Sequence, residues 1–434
     1  MLRKNLIQMK SRFKGNYKLT SLLLFIIIIA TSEDFFRRLI PVIPSTIVFL
    51  KTSLLLLFIV INQKIIYKYS NKLFRIWSIL LFVILLPHLL TLEGIFRSVI
   101  WLHAIVFLPI LIVLSFITLD DVWQKKVFKV VSIVALLCGI FAFYTYSTGA
   151  YAIKGAIWGP LSGSYKFYEG QRVYFNAGWF FGAERLTWVM AIGVASVSIL
   201  IKNKKKFINQ IPFFLTILFF LFISFTTTRL TGFLLTIAML IIISIKVILR
   251  NKIWLIIFSL IFIIAFANID VILKLISSDS RALFVIDYSG TADEKGLFHL
   301  TNVSNAIKYS TLLGYGPIPQ GIQYIDTAVN IIYFIHTEGL ISHSIVQFGI
   351  LSVIHITFNF IFFLLALRAI FKYDDYKFIL GVLLLILKIW IVKASQMESD
   401  LFAQFMLYLM ITPLIKSYLI EKKHIMENKL SGIA

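Results

Sequence analysis

Ile211-Pro-Phe-Phe-Leu-Thr-Ile-Leu-Phe-Phe-Leu-Phe-Ile-Ser-Phe-Thr-Thr-Thr-Arg-Leu-Thr-Gly-Phe-Leu-Leu-Thr-Ile-Ala-Met-Leu-Ile-Ile-Ile-Ser-Ile245 decides the fold class. Two apolar runs flank one short polar turn, Thr226-Thr-Thr-Arg229, whose only charge is the arginine. An apolar run of about 17–25 residues crosses the hydrocarbon core of a bilayer as a helix. The stretch therefore reads as a hairpin of two membrane helices, over 210–227 and 230–248.

The same rhythm covers most of the chain. Further apolar runs fall near 19–32, 40–62, 73–91, 98–118, 129–147, 185–201, 253–268, 339–366, 378–393 and 400–417. The expectation is an all-α polytopic membrane protein with about twelve transmembrane helices, forming one membrane domain over 1–434. Composition agrees: 59% of the residues are hydrophobic and 14% charged, and mean hydropathy is +0.91. These values exclude an ordinary soluble domain.

The net charge of +22 raises the question of nucleic acid, and its distribution answers it. With both termini placed in the cytoplasm, about 27 of the 42 Lys and Arg residues fall in the short inner loops and tails, as the positive-inside pattern requires. The basic excess orients helices and attracts anionic lipid; no nucleic-acid partner is expected. The basic start and apolar run at the N-terminus resemble a signal peptide. Glu33-Asp34 and Arg37-Arg38 replace a small-residue cleavage site, so a retained first helix is expected. The single cysteine, Cys138, lies in an apolar span and offers neither a disulfide framework nor a thiolate metal site.

Two segments break the membrane rhythm on the predicted outer side. The first external loop, 148–184, is rich in Gly and Tyr. The second, 268–338, is a polar island with the turn cluster Gly314-Tyr-Gly-Pro-Ile-Pro-Gln-Gly321, preceded by a short amphipathic helix over Val303–Tyr309. The chain then re-enters the membrane through His336-Thr-Glu-Gly-Leu-Ile-Ser-His-Ser-Ile-Val-Gln-Phe-Gly-Ile350.

Chemistry is sought at that outer boundary. Arg229, Arg185 and Arg172 are cations away from the basic inner face, and a guanidinium fork suits phosphate oxygens. Bland roles stand beside this one: Arg185 as a snorkelling or Glu184-paired charge, Arg172 as a solvated loop charge, Arg229 as a paired turn residue. His336 and Glu338 are general-base candidates. A helix that began early would put His336 and His343 on one face of a common cavity. The alternatives are an interfacial His336, a hydrogen-bonded buried His343, and a Glu338 that merely complements the helix dipole. Tyr315, in the turn cluster, is a further cavity-lining candidate. His88, His103 and His355 read as structural. No His-x-x-x-His, Glu-x-x-His or Asp-x-Asp pattern lies on the outer side, and no Gly-rich phosphate loop followed by Lys occurs. Neither a metal nor a nucleotide cofactor is expected, which leaves a substrate that arrives already activated.

Four segments, in order, resemble the bacterial O-antigen polymerase and O-antigen ligase superfamily of membrane glycosyltransferases. They are Arg172–Trp188, Phe225-Thr-Thr-Thr-Arg-Leu-Thr-Gly232, Asn305-Ala-Ile-Lys-Tyr-Ser-Thr-Leu-Leu-Gly-Tyr-Gly316 and His336–Ile350. The resemblance implies a donor glycan on undecaprenyl diphosphate, held by Arg229 with Arg172 or Arg185, and a base, His336 or Glu338, that takes the proton of the attacking hydroxyl. It implies a bacterial cytoplasmic membrane location and no cofactor, with the lipid bilayer, a chain-length regulator and a flippase as further partners. Eleven residues before Gly349 stands Glu338, where ligases carry His-Asn; an acid there is closer to polymerases. Ser352 replaces the second Gly after Gly349-Ile350, and Glu294-Lys295 stands where an Arg is usual. Polymerisation of O-antigen, capsule or exopolysaccharide repeats is the leading expectation. Transfer to lipid A-core and lipid-linked oligosaccharide flipping or transport are the alternatives.

Overall fold

The computed structural model describes residues 82–89, 121–148, 165–168, 171–174, 176, 178–180, 183–202, 207–227, 230–248, 292–316, 322–326, 332–336, 339–393 and 401–430, with scattered positions between 53 and 80. The expected spans at 19–32, 98–118 and 253–268 lie outside the described residues, that at 40–62 lies largely outside them, and that at 73–91 is described in part.

The chain divides into two compact units, residues 1–126 with 398–434, and residues 127–397. The first contains a 3-10 turn, Leu86–His88, and the last long helix, Leu401–Leu430, which carries Pro413 in its interior. The hydroxyl of Thr412 bonds back to Tyr408 O at 2.8 Å, beside the ladder position that the proline leaves without a donor.

The second unit holds the remaining elements. In chain order they are α1 (Asp121–Thr148, whose first residues belong to the other unit), a hairpin of β1 (Tyr165–Tyr168) and β2 (Gln171–Tyr174), α2 (Ala183–Lys202), α3 (Ile211–Thr226), α4 (Leu230–Ile248) and α5 (Ala292–Tyr309). A second hairpin follows, β3 (Ile322–Asp326) with β4 (Ile332–His336), then α6 (Leu340–Phe348), α7 (Ser352–Lys372) and α8 (Tyr376–Lys393). The helix Leu401–Leu430 is α9. α1, α2, α3, α4, α8 and α9 overlap six of the expected apolar runs.

Three described stretches are long and apolar enough to cross a membrane: Lys125–Ser147, Ala183–Ile201 and Leu340–Lys372. Ile211–Thr226 and Gly232–Ile245 are shorter apolar helices. The protein is a helical membrane protein, and its surface says the same. Exposed Ile211, Leu215, Leu218, Phe222 and Phe225 run along one side of α3, and exposed Val353, Phe360, Leu364 and Phe371 along α7. In water such stripes would be liabilities; against lipid tails they are the expected outer faces.

α2 and α8 are instead buried along almost their whole length and form the centre of the unit. Lipid tails are as apolar as leucine, so helices in a bilayer associate through close packing and hydrogen bonds. Both are visible on α2. A Cβ on Gly193 would stand 2.7 Å from the Phe220 ring and 2.8 Å from Ala135 Cβ. Ser196 Oγ lies 2.7 Å from Ser132 Oγ and donates to Phe128 O at 2.6 Å, tying α2 to α1. α7 and α8 form a tight antiparallel hairpin. Asp375 Oδ1 accepts from Lys377 N at 2.9 Å and caps the first turn of α8, and Gly381 lets Ala369 come within 2.7 Å of where its Cβ would stand.

Three expectations change. The amphipathic helix runs from 292 to 309 rather than from 303. Each polar loop contains a two-stranded antiparallel hairpin, so the class is helical with two small β appendages. The span read as one helix over 339–366 is broken at Gly349, whose φ of +53° and ψ of −128° no helix contains.

Candidate functional site

Thr226 and Thr227 end α3, and both hydroxyls turn back onto their own helix, at 2.7 Å to Ile223 O and 2.6 Å to Ser224 O. The hydroxyl oxygens also meet groups outside the helix. Thr226 Oγ1 accepts from Asn176 Nδ2 at 2.8 Å, and Thr227 Oγ1 lies 2.9 Å from Thr187 Oγ1 of α2. Buried Asn176 is a hub. Its amide also donates to Ala142 O at 3.0 Å, and its Oδ1 accepts from Thr145 Oγ1 at 3.2 Å and Gly178 N at 3.1 Å. The ends of α1 and α3, the start of α2 and the segment after β2 are thereby bound together.

This junction carries the first two segments of the resemblance. Arg185 is half-buried on the first turn of α2, two residues before Thr187. Arg172 lies on β2 opposite Phe167, and only its backbone is described. Arg229, two positions beyond Thr227 in the chain, lies outside the described residues. Gly232, the small residue closing that motif, has a packing reason: a Cβ there would stand 2.2 Å from the Trp390 ring of α8 and 2.8 Å from Thr187 Cγ2.

The other two segments meet mainly through backbone hydrogen bonds. Tyr315 N donates to Val346 O and Gly316 N to Gln347 O, both at 2.9 Å, while Ile350 N donates to Leu312 O at 2.9 Å. Ser310 Oγ adds a bond to Ile345 O at 2.9 Å. The last carbonyls of a helix have no partner within it. Here the Gly314-Tyr-Gly316 turn supplies donors to those of α6, and Gly349 turns the chain away into α7. Two glycines make this clasp possible. Gly314 has φ +76°, and its Cβ would stand 2.2 Å from Gln347 O; Gly349 has φ +53°, and its Cβ would stand 2.1 Å from Leu312 O. Tyr315 reaches back to donate its hydroxyl to Tyr309 O at 2.9 Å, and partial burial pushes that hydroxyl above its ordinary pKa of 10.0.

The base candidates are arranged differently from expectation. His336 ends β4, paired with Ile322, and only its backbone is described. Glu338 lies outside the described residues. Gly339, with ψ of 147°, caps α6 in an extended conformation, so the helix starts at Leu340. His336 and His343 therefore do not share a helix face. His343 is buried on α6.

Lys388, the ionisable residue in the apolar run 378–393, has polar partners that the sequence does not announce. Lys388 of α8 is buried and donates to Asn359 Oδ1 of α7 at 2.6 Å. Asn359 Nδ2 faces His355 Nε2 at 3.4 Å, and His355 Nδ1 lies 2.8 Å from Ser344 Oγ of α6. His355, read as structural, is thus a link between three helices. The available signal was the four-residue spacing of His355 and Asn359, which puts both on one helix face, together with a lone lysine inside an apolar span.

α8 joins the two halves of the site. Trp390 packs toward α2 and α4, with its ring 5.8 Å from that of Trp188, while Lys388 faces α7. Lys372 and Lys377 mark the opposite end of the α7–α8 hairpin.

No protein-family model, curated protein or solved structure matches this chain.

Among the described residues no group of three or more His, Cys, Asp or Glu is placed to hold a metal ion. The arrangement offers one half-buried guanidinium on the first turn of a central helix, a Gly turn bonded to the end of α6, and buried Lys388 bonded to α7.

Proposed function

We propose that the protein polymerises oligosaccharide repeat units carried on undecaprenyl diphosphate, at the outer face of a bacterial cytoplasmic membrane, into O-antigen, capsule or exopolysaccharide. One observation carries most of the support. Four segments with a polymerase-like order in sequence are joined in pairs in space, the first two through Asn176–Thr226 and Thr187–Thr227, the last two through the clasp.

In the proposed reaction a hydroxyl of the acceptor repeat unit attacks the anomeric carbon of the donor glycan. The carbon–oxygen bond to the diphosphate breaks, and the electron pair leaves with the lipid diphosphate. Arg229, with Arg185 or Arg172, stabilises that departing charge through charge-assisted hydrogen bonds. His336 or Glu338 takes the hydroxyl proton. The diphosphate is already a good leaving group, so the step draws on neither nucleotide nor metal.

The test is purified protein with undecaprenyl-diphosphate oligosaccharide, with and without lipid A-core. A ladder of lengthening lipid-linked glycans is expected from donor alone, and Arg229→Ala should abolish it at normal protein levels. Transfer that occurs only when lipid A-core is added would replace this reading with the ligase one. A second reading, transport or flipping of the lipid-linked glycan, gains from buried Lys388 and its partners, because ionisable groups inside a membrane bundle often line a path. Proteoliposomes that move the lipid-linked glycan across the bilayer without lengthening it would favour that reading.

A further inference from the structure

We propose that Lys388, Asn359, His355 and Ser344 form a one-directional hydrogen-bond chain that holds His355 as its neutral Nδ1–H tautomer and positions α6. The inference deepens the polymerase reading and rests on it for its kinetic consequence only.

Direction follows from elementary donor counting. An ammonium has donors and no acceptor, so the Asn359 atom 2.6 Å from Lys388 Nζ is the carbonyl oxygen. The amide NH2 of Asn359 is then the group turned toward His355 Nε2 at 3.4 Å, and it also reaches His355 O at 3.4 Å. An NH2 only donates, so Nε2 must be the bare, accepting nitrogen. From the other end, Ser344 Oγ spends its one hydrogen on Leu340 O at 2.6 Å. With its hydrogen there, the oxygen accepts from His355 Nδ1 at 2.8 Å, and Nδ1 carries the proton. Both ends require the same tautomer.

The Lys388 ammonium has further support from the face of Phe362, 5.1 Å from Nζ, and the edge of Phe348 meets the imidazole at 5.9 Å. A charge inside a helix bundle costs several kcal/mol unless it is paired or solvated by dipoles, so these neighbours account for its burial.

The consequence reaches the candidate site through α6. Its C-terminal carbonyls are held by the clasp, and Ser344 anchors its middle to His355 of α7. The chain enters α6 through His336, Thr337 and Glu338, so a helix held along its length sets where that segment begins. Lys388, Asn359, His355 and Ser344 are positioning residues in this scheme, and none need touch substrate.

The experiment is nitrogen-15 NMR of the protein in nanodiscs with labelled histidine, the His355 signals being assigned by loss in His355→Gln. The expected spectrum has a protonated Nδ1 and a bare Nε2. In Asn359→Asp a carboxylate replaces the amide and can only accept, so Nε2 should become protonated. Lys388→Met should lose the fixed tautomer and lower kcat for elongation about 10²-fold with KM unchanged, and Lys388→Arg, which retains a donor, should recover most of it. If Lys388→Met does not fold, the Asn359→Asp spectrum decides alone. A protonated Nε2 in the unaltered protein, or an Asn359→Asp spectrum identical to it, overturns the proposal. A protein that elongates no glycan while showing the expected spectra overturns the polymerase reading and leaves the chain standing.

Discussion

Gly314→Ala should open the clasp without unfolding the helices beneath it. The added Cβ would stand 2.2 Å from Gln347 O and 2.5 Å from Phe348 N, both backbone atoms that cannot rotate away. Restoring ordinary contact requires the turn to lift by about 1 Å, which stretches the two 2.9 Å bonds from Tyr315 N and Gly316 N to about 3.9 Å, beyond hydrogen-bonding range. Each such bond is worth about 1 kcal/mol net. Holding alanine at the observed φ of +76° costs a further 1–2 kcal/mol or so. The clasp should therefore weaken by about 3–4 kcal/mol, equivalent to roughly 10²–10³-fold faster opening at tenfold per 1.4 kcal/mol. Hydrogen exchange by mass spectrometry in nanodiscs reads this directly. Peptides covering 310–316 and Ile350 should lose protection by that factor while α2 and α8 keep theirs. Thr311→Ala serves as the graded control, since it removes one exposed bond, Thr311 Oγ1 to Gly314 O at 2.8 Å. Unchanged protection at 310–316 in Gly314→Ala, or equal losses in the two variants, would refute the steric argument.

Three further outcomes follow from the packing. Asn176→Ala removes the hub that joins α1, α3 and the segment after β2 and leaves Gly178 N without its side-chain acceptor; a loss of about 2–4 kcal/mol is expected from several buried bonds, read as thermal stability in detergent, and a loss below about 0.5 kcal/mol would show the hub to be incidental. Gly232→Ala presses a methyl onto the Trp390 ring and should cost about 1–3 kcal/mol by overpacking, with a change in tryptophan fluorescence from the Trp188–Trp390 pair; a silent spectrum would contradict the packing. Tyr315 has its folded pKa raised by burial, so its contribution to stability is complete below pH 10.0 and lost as pH rises through the folded value. Ultraviolet titration of the protein against Tyr315→Phe should yield a difference curve with its midpoint above 10.0, and a midpoint at or below that value would remove the desolvation argument.

The hairpin Ile211–Ile245 shows what was legible beforehand. Apolar runs on either side of Thr226–Arg229 are a local property of the chain, and α3 and α4 lie where those runs are. The apolar stretch over 339–366 is matched by Leu340–Lys372, but hydropathy cannot see the turn that one glycine makes within it. Gly349 is as compatible with an apolar run as alanine, and its positive φ, beside the bond from Ile350 N to Leu312 O, splits α6 from α7. His336 and His343 were paired on the assumption of a helix that starts early, whereas β4 and the extended Gly339 put them on different elements.

Membrane character, the positions of α2, α3, α4 and α8 and the inventory of unusual polar groups were determined by sequence alone, because transfer of each segment into lipid depends on that segment's own side chains. Which polar groups meet was decided by tertiary structure. The clasp is made of backbone N–H and C=O groups that every residue possesses, so no residue code announces it. Lys388, Asn359, His355 and Ser344 are ordinary residues on three helices, and their hydrogen bonds exist only because α8 packs against α7 with α6 laid over both.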